Sequence, residues 1–264
     1  MRRACVLAAA TLRLVESRIK EGMSTLDVDR IAHEFMLDHG AYPATLNYPH
    51  SQTDPNAPRI DKGGFPRSVC TSINHVVCHG IPSKNEILKS GDIVNVDVTP
   101  MLDGYYGDTS RTFRIGEVSE EAAKVTEIAR CSLDIGIEQV RAGVFTGDIG
   151  YAIHNYAEIQ EKMGVVREYC GHGVGRVFHA DPQIAHVARR GRGARMVAGM
   201  CFTIEPMINV GSWRTRQHPT DGWTVYTADG TLSAQFEHSI CVTRDGAEIM
   251  TDYALIEGSE FDEI

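Results

Sequence analysis

The stretch "DIVNVDVTPMLDGYYGDTSRTFRIG" (92–116) decides the fold class, because two strand-like segments flank a Met-Leu-Asp-Gly turn. In the first segment Val94, Val96 and Val98 share one face, and polar residues that include Asp97 share the other. This pattern on both sides of a short turn predicts an antiparallel β-hairpin. The returning strand brings Asp108 to about the level of Asp97. Two carboxylates are therefore expected side by side on the polar face of the hairpin.

Four other segments have the features of helices. Apolar spacing and terminal signals predict helices over 1–20, 23–40, 119–140 and 145–164. The expected N-caps are Ser24 or Thr25 for the second, Ser119 for the third, and Thr146 or Asp148 for the fourth. In the first segment Arg13 and Glu16 interrupt the apolar run, which favours an amphipathic helix over a signal peptide.

The order of the elements predicts the fold class. Two further hairpins are expected around 228–230 and 244–246, so helices and strands come in grouped runs and do not alternate strictly. This grouping predicts an α+β fold with an antiparallel-rich sheet. A length of 264 residues allows one large domain over 1–264. The Pro-, Asn- and Asp-rich segment at about 49–62 is expected to be an insert-like surface loop.

Composition excludes several classes of protein. The chain is 42% hydrophobic and 23% charged, as is usual for a globular protein, and its net charge of −9 argues against DNA binding. No segment approaches the ~20 apolar residues of a membrane span. The seven cysteines are odd in number and lack C-x-x-C spacing, which fits neither a disulfide framework nor a zinc ribbon. A reducing, cytoplasmic location is the expectation.

Further carboxylates fall on the polar faces of predicted strands. In "CFTIEPM" (201–207) Glu205 opposes the apolar face, and in "TLSAQFEHSICV" (231–242) Glu237 does so. A single such residue usually lies on a solvated face, but carboxylates in strongly apolar segments must be paired, neutralised or bound to cations. Together with an imidazole from "YCGHGVGRVFHAD" (169–181), they indicate an oxygen-rich site for Mn, Co, Fe or Zn, with two ions bridged by shared carboxylates.

Six stretches together resemble the signatures of type I methionine aminopeptidases, in the same order and over nearly the whole chain. They are "SVCTSINHVVCHGIP" (68–82), "GDIVNVDVT" (91–99), "DGYYGDTSRTF" (103–113), "YCGHGVGRVFH" (169–179), "GMCFTIEPMI" (199–208) and "DGWTVYTADGTLSAQFEHSI" (221–240). The resemblance is to the short bacterial or organellar form, without an N-terminal extension. It implies the pita-bread fold, a single domain of two pseudo-symmetric halves with a curved antiparallel sheet inside and helices outside.

The resemblance also implies a set of site residues. The ligands of two divalent ions map to Asp97, Asp108, His172, Glu205 and Glu237, of which Asp108 and Glu237 would bridge both ions. The catalytic residues would be His79, His179 and Glu205. Besides these two histidines, the substrate pocket would be lined by Phe65, Cys70, Tyr169, Phe178 and Trp223. A sodium or potassium ion is expected near Asn74, Val76 and Ser233.

The implied reaction is removal of the initiator methionine from nascent chains whose second residue is small, by metal-activated hydroxide. The enzyme is expected to be a monomer. The basic run "RRGRGAR" (189–195) is expected to be a solvated loop, with contact to the ribosome near the exit tunnel as the functional alternative. Two departures from the family pattern affect the rim of the site. They are the segment at 49–62 and His75, which stands where an acidic or amide residue is usual.

Two alternative functions stay open on the sequence. A Xaa-Pro aminopeptidase or prolidase has the same fold and ligand types, but usually an additional N-terminal domain and extra histidines. The contexts of Cys70 and Trp223 argue against it. An inactive binding homologue would lack the ligand set, and all five ligand types are present here.

Overall fold

The structure is a computed structural model that describes residues 1–49 and 64–262. Its four α-helices are α1 (Arg2–Arg18), α2 (Thr25–Asp38), α3 (Glu120–Ile137) and α4 (Thr146–His154). A π-helical turn at Asn155–Gln160 extends α4, and a 3-10 turn covers Tyr253–Leu255. None of the described helices is long and apolar enough to cross a membrane. The predicted loop at 49–62 falls almost wholly outside the described residues.

Short strands make up the rest of the fold. In the first half they are β1 (Tyr42–Pro43), β2 (Val69–Ile73), β3 (Val76–Cys78), β4 (Ile93–Val98), β5 (Pro100–Leu102), β6 (Tyr105–Tyr106) and β7 (Thr109–Arg114). In the second half they are β8 (Gly164–Val165), β9 (Gly171–Gly173), β10 (Ala180–Ile184), β11 (Cys201–Ile204), β12 (Met207–Asn209), β13 (Thr215–Gln217), β14 (Val225–Thr227), β15 (Ser233–Gln235), β16 (His238–Val242) and β17 (Ala247–Ile249).

All strand pairs in the described chain are antiparallel, as the grouped elements predict. The first half has a sheet in the order β2-β4-β7, and the second half has one in the order β10-β9-β11-β16-β17. The two sheets join where the Glu237 N–H donates to the Ser110 carbonyl (3.0 Å) and the Thr109 hydroxyl donates to the Glu237 carbonyl (2.7 Å). A curved antiparallel surface therefore runs across both halves.

Each half has its own hydrophobic core beneath a pair of helices. Helices α1 and α2 pack against the β2-β4-β7 sheet, where the predicted apolar face of Val94, Val96 and Val98 is fully buried. Helices α3 and α4 cover the second core, to which Phe202 and Ile204 contribute. Helices lie outside and the polar strand faces lie inside, as the pita-bread fold requires.

The predicted caps are confirmed for two helices and wrong for one. Ser24 forms a capping box with Asp27 at α2, and the Ser119 side chain accepts the Ala122 N–H at α3. At α4 the N-cap is Phe145, which makes no side-chain cap. Thr146 and Asp148 do not cap α4, because their side-chain oxygens accept the N–H groups of Ala194 (3.1 Å) and Gly191 (3.2 Å).

The hairpins are also partly as predicted. Strands β4 and β7 pair as expected, but Val98 lies opposite Thr109, so Asp108 is level with Thr99 and not with Asp97. Strands β16 and β17 form the hairpin around 244–246. The hairpin around 228–230 is wrong, because β14 pairs with β13 and β3 whereas β15 pairs with β12. The turn is real, but it passes the chain from one sheet to another.

Candidate active site

The polar faces of the two halves meet in a cavity of about 730 Å³. All the predicted ligand, catalytic and pocket residues line this cavity. They are Phe65, Cys70, His79, Asp97, Asp108, Tyr169, His172, Phe178, His179, Glu205, Trp223 and Glu237. The first half supplies Asp97 and Asp108 from β4 and the start of β7. The second half supplies the other three predicted ligands from β9 and from the residues next to β11 and β16. The fold therefore assembles the set from segments far apart in sequence.

Three of the side chains form a compact ligand cluster. One ligand atom from each of Asp108, His172 and Glu237 lies within 4.8 Å of the others, and all three residues are buried. His172 Nε2 is 3.4 Å from Asp108 Oδ2 and 3.6 Å from Glu205 Oε1. The second ring nitrogen, Nδ1, lies 3.1 Å from the Gly173 carbonyl. A proton on Nδ1 donated to that carbonyl leaves the Nε2 lone pair facing the carboxylates, which is the tautomer a metal ligand needs.

The backbone holds His172 tightly from both sides. Gly173 lies opposite Phe202 of β11 and Ala180 of β10. A Cβ atom built on Gly173 would come within 2.2 Å of the Asp181 carbonyl oxygen. Only glycine fits here without moving a strand, so the close strand packing fixes the position of the imidazole.

Hydrogen bonds orient the carboxylates. Asp108 Oδ1 accepts from the Thr99 hydroxyl (2.9 Å). Glu205 Oε1 accepts from the Thr203 hydroxyl (2.9 Å), and Oε2 accepts from the Gln235 amide (3.2 Å). These two carboxylates line the cavity and keep further lone pairs for ligating a cation.

Burial and mutual repulsion shift the pKa values of the acidic residues that line the cavity. Burial and the charges of Asp108 and Glu205 raise the pKa of Asp97 well above its usual value. Burial and the charge of Asp108 likewise raise the pKa of Glu237, and burial above all raises the pKa of Glu205 to about 7. Burial lowers the pKa of His172, but the neighbouring carboxylates outweigh it and raise the pKa to about 9. This donor set of four carboxylates and one imidazole fits divalent metal ions, which would neutralise it.

The other two predicted histidines lie beside the cluster without carboxylate partners. His79 follows β3 with a φ of +55°, which turns its ring toward the cavity against Tyr169 at a centroid distance of 5.5 Å. Desolvation lowers its pKa to about 4. The His179 ring lies 4.2 Å from the His172 ring and stacks on Phe178 at 4.1 Å. Desolvation by these walls, with the charge of His172, lowers its pKa below the usual value although the side chain is exposed at the mouth. Both imidazoles are neutral at pH 7.

An apolar end of the cavity lies beside the ligands. Phe65 is 2% exposed and meets the Trp223 ring edge-to-face at 5.5 Å, and Cys70 is 4% exposed. Tyr169 and Phe178 complete the set that the resemblance implies. This aromatic pocket has the chemistry to hold a flexible thioether side chain. In contrast, His75 is outside the residues that line the cavity, and its ring stacks on Tyr226 at 5.4 Å.

The residues expected at a monovalent cation lie outside the main cavity. The Ser233 N–H donates to the Asn74 carbonyl (2.8 Å), and the strands of Val76 and Ser233 contact each other. The buried Ser233 Oγ has no hydrogen-bond partner in the part of the chain that the structure describes. A free hydroxyl oxygen beside backbone carbonyls is compatible with a cation of low charge.

Sequence reasoning missed the polar residues that orient the carboxylates, Thr99, Thr203 and Gln235, and also His186. His186 is 1% exposed, and its Nε2 accepts the backbone N–H of Glu205 at 3.2 Å. Burial lowers its pKa to about 3, so the ring is neutral. A signal was available, because His186 follows the buried Ile184 of β10 by two positions and so continues its face. No motif marks it, since its partner is a backbone group.

The model of metallopeptidase family M24 matches residues 1–244. A methionine aminopeptidase of Rickettsia prowazekii is 49% identical over 251 residues, which cover 95% of this chain and 91% of that protein. Methionine aminopeptidase A of Synechocystis is 48% identical and is covered to 93%. The chain belongs to the methionine aminopeptidases of metallopeptidase family M24.

Solved structures agree with this family assignment. The crystal structure of the Rickettsia prowazekii methionine aminopeptidase superposes with a TM-score of 0.88, and 95% of each chain is covered. The methionine aminopeptidase of Thermotoga maritima gives 0.87 at 36% identity, with 96% of this chain and 95% of that chain covered. A prolidase from Pyrococcus furiosus gives 0.71 at 20% identity, but this chain covers only 62% of it, so that likeness shows the fold alone. The pita-bread fold predicted from the sequence is confirmed.

Proposed function

We propose that this methionine aminopeptidase removes the initiator methionine from nascent chains with a small second residue, using two divalent ions held by Asp97, Asp108, His172, Glu205 and Glu237. The observation that carries the proposal is the convergence of four carboxylates, two buried and two half-buried, and His172 beside an aromatic pocket. Because the relatives are methionine aminopeptidases, the side chain proposed to occupy the pocket is that of methionine. Mn, Co, Fe and Zn all suit this donor set.

Both halves of the fold would supply ligands to the metal site. Asp97 would ligate one ion, His172 and Glu205 the other, and Asp108 and Glu237 would bridge them. When bound, such ions lower the pKa of a coordinated water so that hydroxide is available at neutral pH.

The chain's own residues would position the substrate and move the protons. The aromatic pocket around Phe65 and Trp223 would hold the methionine side chain and exclude water from it. Glu205, oriented by Thr203 and Gln235, would carry a proton to the leaving amine. Neutral His179 has one N–H to donate to the scissile carbonyl oxygen, where charge develops. His79 would lie near the scissile amide nitrogen.

The remaining expectations belong to the same proposal. Residues 1–264 would form one catalytic domain that acts as a cytoplasmic monomer, with a sodium or potassium ion near Asn74, Val76 and Ser233. The Arg-rich loop at 189–195 would be a solvated loop; as the functional alternative it would contact the ribosome, since Arg189, Arg190 and Arg192 are exposed in a chain of net charge −9. Co-sedimentation with ribosomes should weaken as salt rises and after these three arginines are changed to Ala. Unchanged weak binding would refute the contact.

A peptide assay tests the proposed activity. Metal-stripped protein reloaded with Mn or Co should release methionine from Met-Ala-Ser and leave a Xaa-Pro dipeptide intact. Asp97→Ala and Glu237→Ala should abolish the release by dismantling the metal pair. Turnover of the Xaa-Pro dipeptide would support the prolidase alternative. No turnover of either peptide by folded, metal-loaded protein would support an inactive binding homologue.

A further inference from the structure

Two cysteines outside the active site face each other across neighbouring strands. Cys201 of β11 lies directly opposite Cys241 of β16. The adjacent pair is hydrogen-bonded, since the Val242 N–H donates to the Met200 carbonyl at 2.9 Å. Because hydrogen-bonded and non-hydrogen-bonded pairs alternate in an antiparallel ladder, the cysteines form a non-hydrogen-bonded pair. Such pairs have Cα atoms about 4.5 Å apart, which is within the range of about 4.4–6.8 Å that a disulfide spans.

The surroundings of the pair allow access from solvent. Phe202 and Ile240, the next pair along the strands, are fully buried, so the two thiols point to the opposite face and are partly exposed there. Charges of both signs lie nearby, because Glu248 is opposite Cys241 in the strand ladder and forms an ion pair with Arg2. Access from solvent therefore opens both thiols to a small oxidant.

The other cysteines are placed differently. Cys5, Cys70 and Cys78 are buried, and burial raises the pKa of Cys70 and of Cys78 well above the usual value, which keeps both thiols protonated. Cys131 lies beside Glu127, and Cys170 lines the active-site cavity. No other pair of cysteines in the described chain occupies opposite positions of a strand ladder.

We propose that Cys201 and Cys241 are a redox modification site, which forms a cross-strand disulfide on exposure to a peroxide and is restored by thiols. The sulfur of one thiol attacks a peroxide oxygen, so that an S–O bond forms and the O–O bond breaks, and the departing hydroxide takes up the proton of that thiol to leave as water. The second thiol then attacks the sulfenic sulfur, its proton goes to the departing hydroxide, and a second water leaves as the S–S bond forms. The two thiols are oxidised, and one hydrogen peroxide is reduced to two waters.

Either thiol can attack first, because both are partly exposed on the same face of the sheet. The disulfide would be partly exposed, and exposed disulfides are among those that cellular thiols reduce readily. This reversibility suits a reducing compartment.

The site is independent of the proposed peptidase activity. Cys201 and Cys241 each lie four residues from a proposed ligand, Glu205 and Glu237, which is roughly 13 Å along a strand. Between them, Phe202 pairs with Ile240 and Thr203 with Ser239, so the ladder already fixes this separation. The cross-link is therefore expected to leave the release of methionine within about twofold of the reduced enzyme, a change too small to reflect a displaced ligand.

The test is thiol mapping of the metal-loaded protein. After treatment with one equivalent of hydrogen peroxide, free thiols are blocked with N-ethylmaleimide, and the protein is digested without reductant for mass spectrometry. The expected product is a peptide pair that joins Cys201 to Cys241 with the loss of two hydrogen masses, and that dithiothreitol separates. Alkylation of both cysteines while Cys131 or Cys170 is oxidised would overturn the proposal, as would a cross-link between Cys201 and Cys5.

Two variants serve as matched controls. Cys241→Ser should abolish the cross-link, and Cys131→Ser, which removes another partly exposed thiol, should leave it unchanged. A cross-link to Cys201 that persists in Cys241→Ser would refute the pairing. If Cys241→Ser does not fold, peptide mapping of the wild-type protein decides the question alone.

Discussion

Gly173→Ala should displace His172 without changing any proposed ligand or catalytic side chain. The new methyl group would lie 2.2 Å from the Asp181 carbonyl oxygen, whereas Cβ atoms essentially never approach other atoms within 3.0 Å. Strands β9 and β10 must therefore separate by about 1 Å, and a misplacement of this size at a catalytic site costs roughly 100-fold in rate. We expect kcat for Met-Ala-Ser to fall by about that factor and the metal affinity to fall with it.

Gly175→Ala is the matched control, two residues later in the loop that follows β9. A Cβ atom at Gly175 meets nothing within 4 Å, so this variant should keep wild-type kcat and metal affinity. The assay is methionine release at saturating metal, with metal binding measured by calorimetry and folding checked by circular dichroism. The reasoning is refuted if Gly173→Ala retains activity within about threefold of wild type, or if Gly175→Ala loses as much as Gly173→Ala.

Three further substitutions test separate parts of the site. His179→Ala should lower kcat by about 100-fold, as loss of an oxyanion donor does, and elemental analysis should still find bound metal; loss of both ions would make His179 a ligand. Trp223→Ala should raise KM for Met-Ala-Ser about tenfold, since burying a methionine side chain contributes on the order of 1.5–3 kcal/mol, and an unchanged KM would place Trp223 outside the pocket. His186→Ala leaves the Glu205 N–H without its acceptor and should lower the free energy of unfolding by about 1–3 kcal/mol in urea titration. A loss below ~0.5 kcal/mol would show that this bond does not stabilise the fold.

The sequence predicts the structure correctly where the local pattern of residues agrees with the tertiary packing. Strand alternation in 93–98 places Asp97 opposite a valine face, and that face is buried against α1 and α2. Ser24 and Ser119 cap their helices because their hydroxyl groups accept N–H groups of the same helix, from Asp27 and Ala122. The five proposed ligands line one cavity, as the resemblance implies.

Prediction from the sequence fails where a residue or strand bonds to a segment far away in the chain and not to its neighbours. Thr146 is a good local cap, but its hydroxyl accepts from Ala194, 48 residues later in the chain. The turn at 228–230 has hairpin chemistry, yet the flanking strands find other partners in different sheets. The role of His186 depends on a backbone N–H 19 residues away, and a backbone group leaves no mark in the sequence.

Anomalous diffraction from crystals grown with Mn or Co tests the central claim most directly. The account predicts two metal peaks in the cavity, with Asp108 and Glu237 shared between them, Asp97 bound to one ion, and His172 and Glu205 bound to the other. A single peak at full metal saturation, or peaks that lie away from these five side chains, would contradict it.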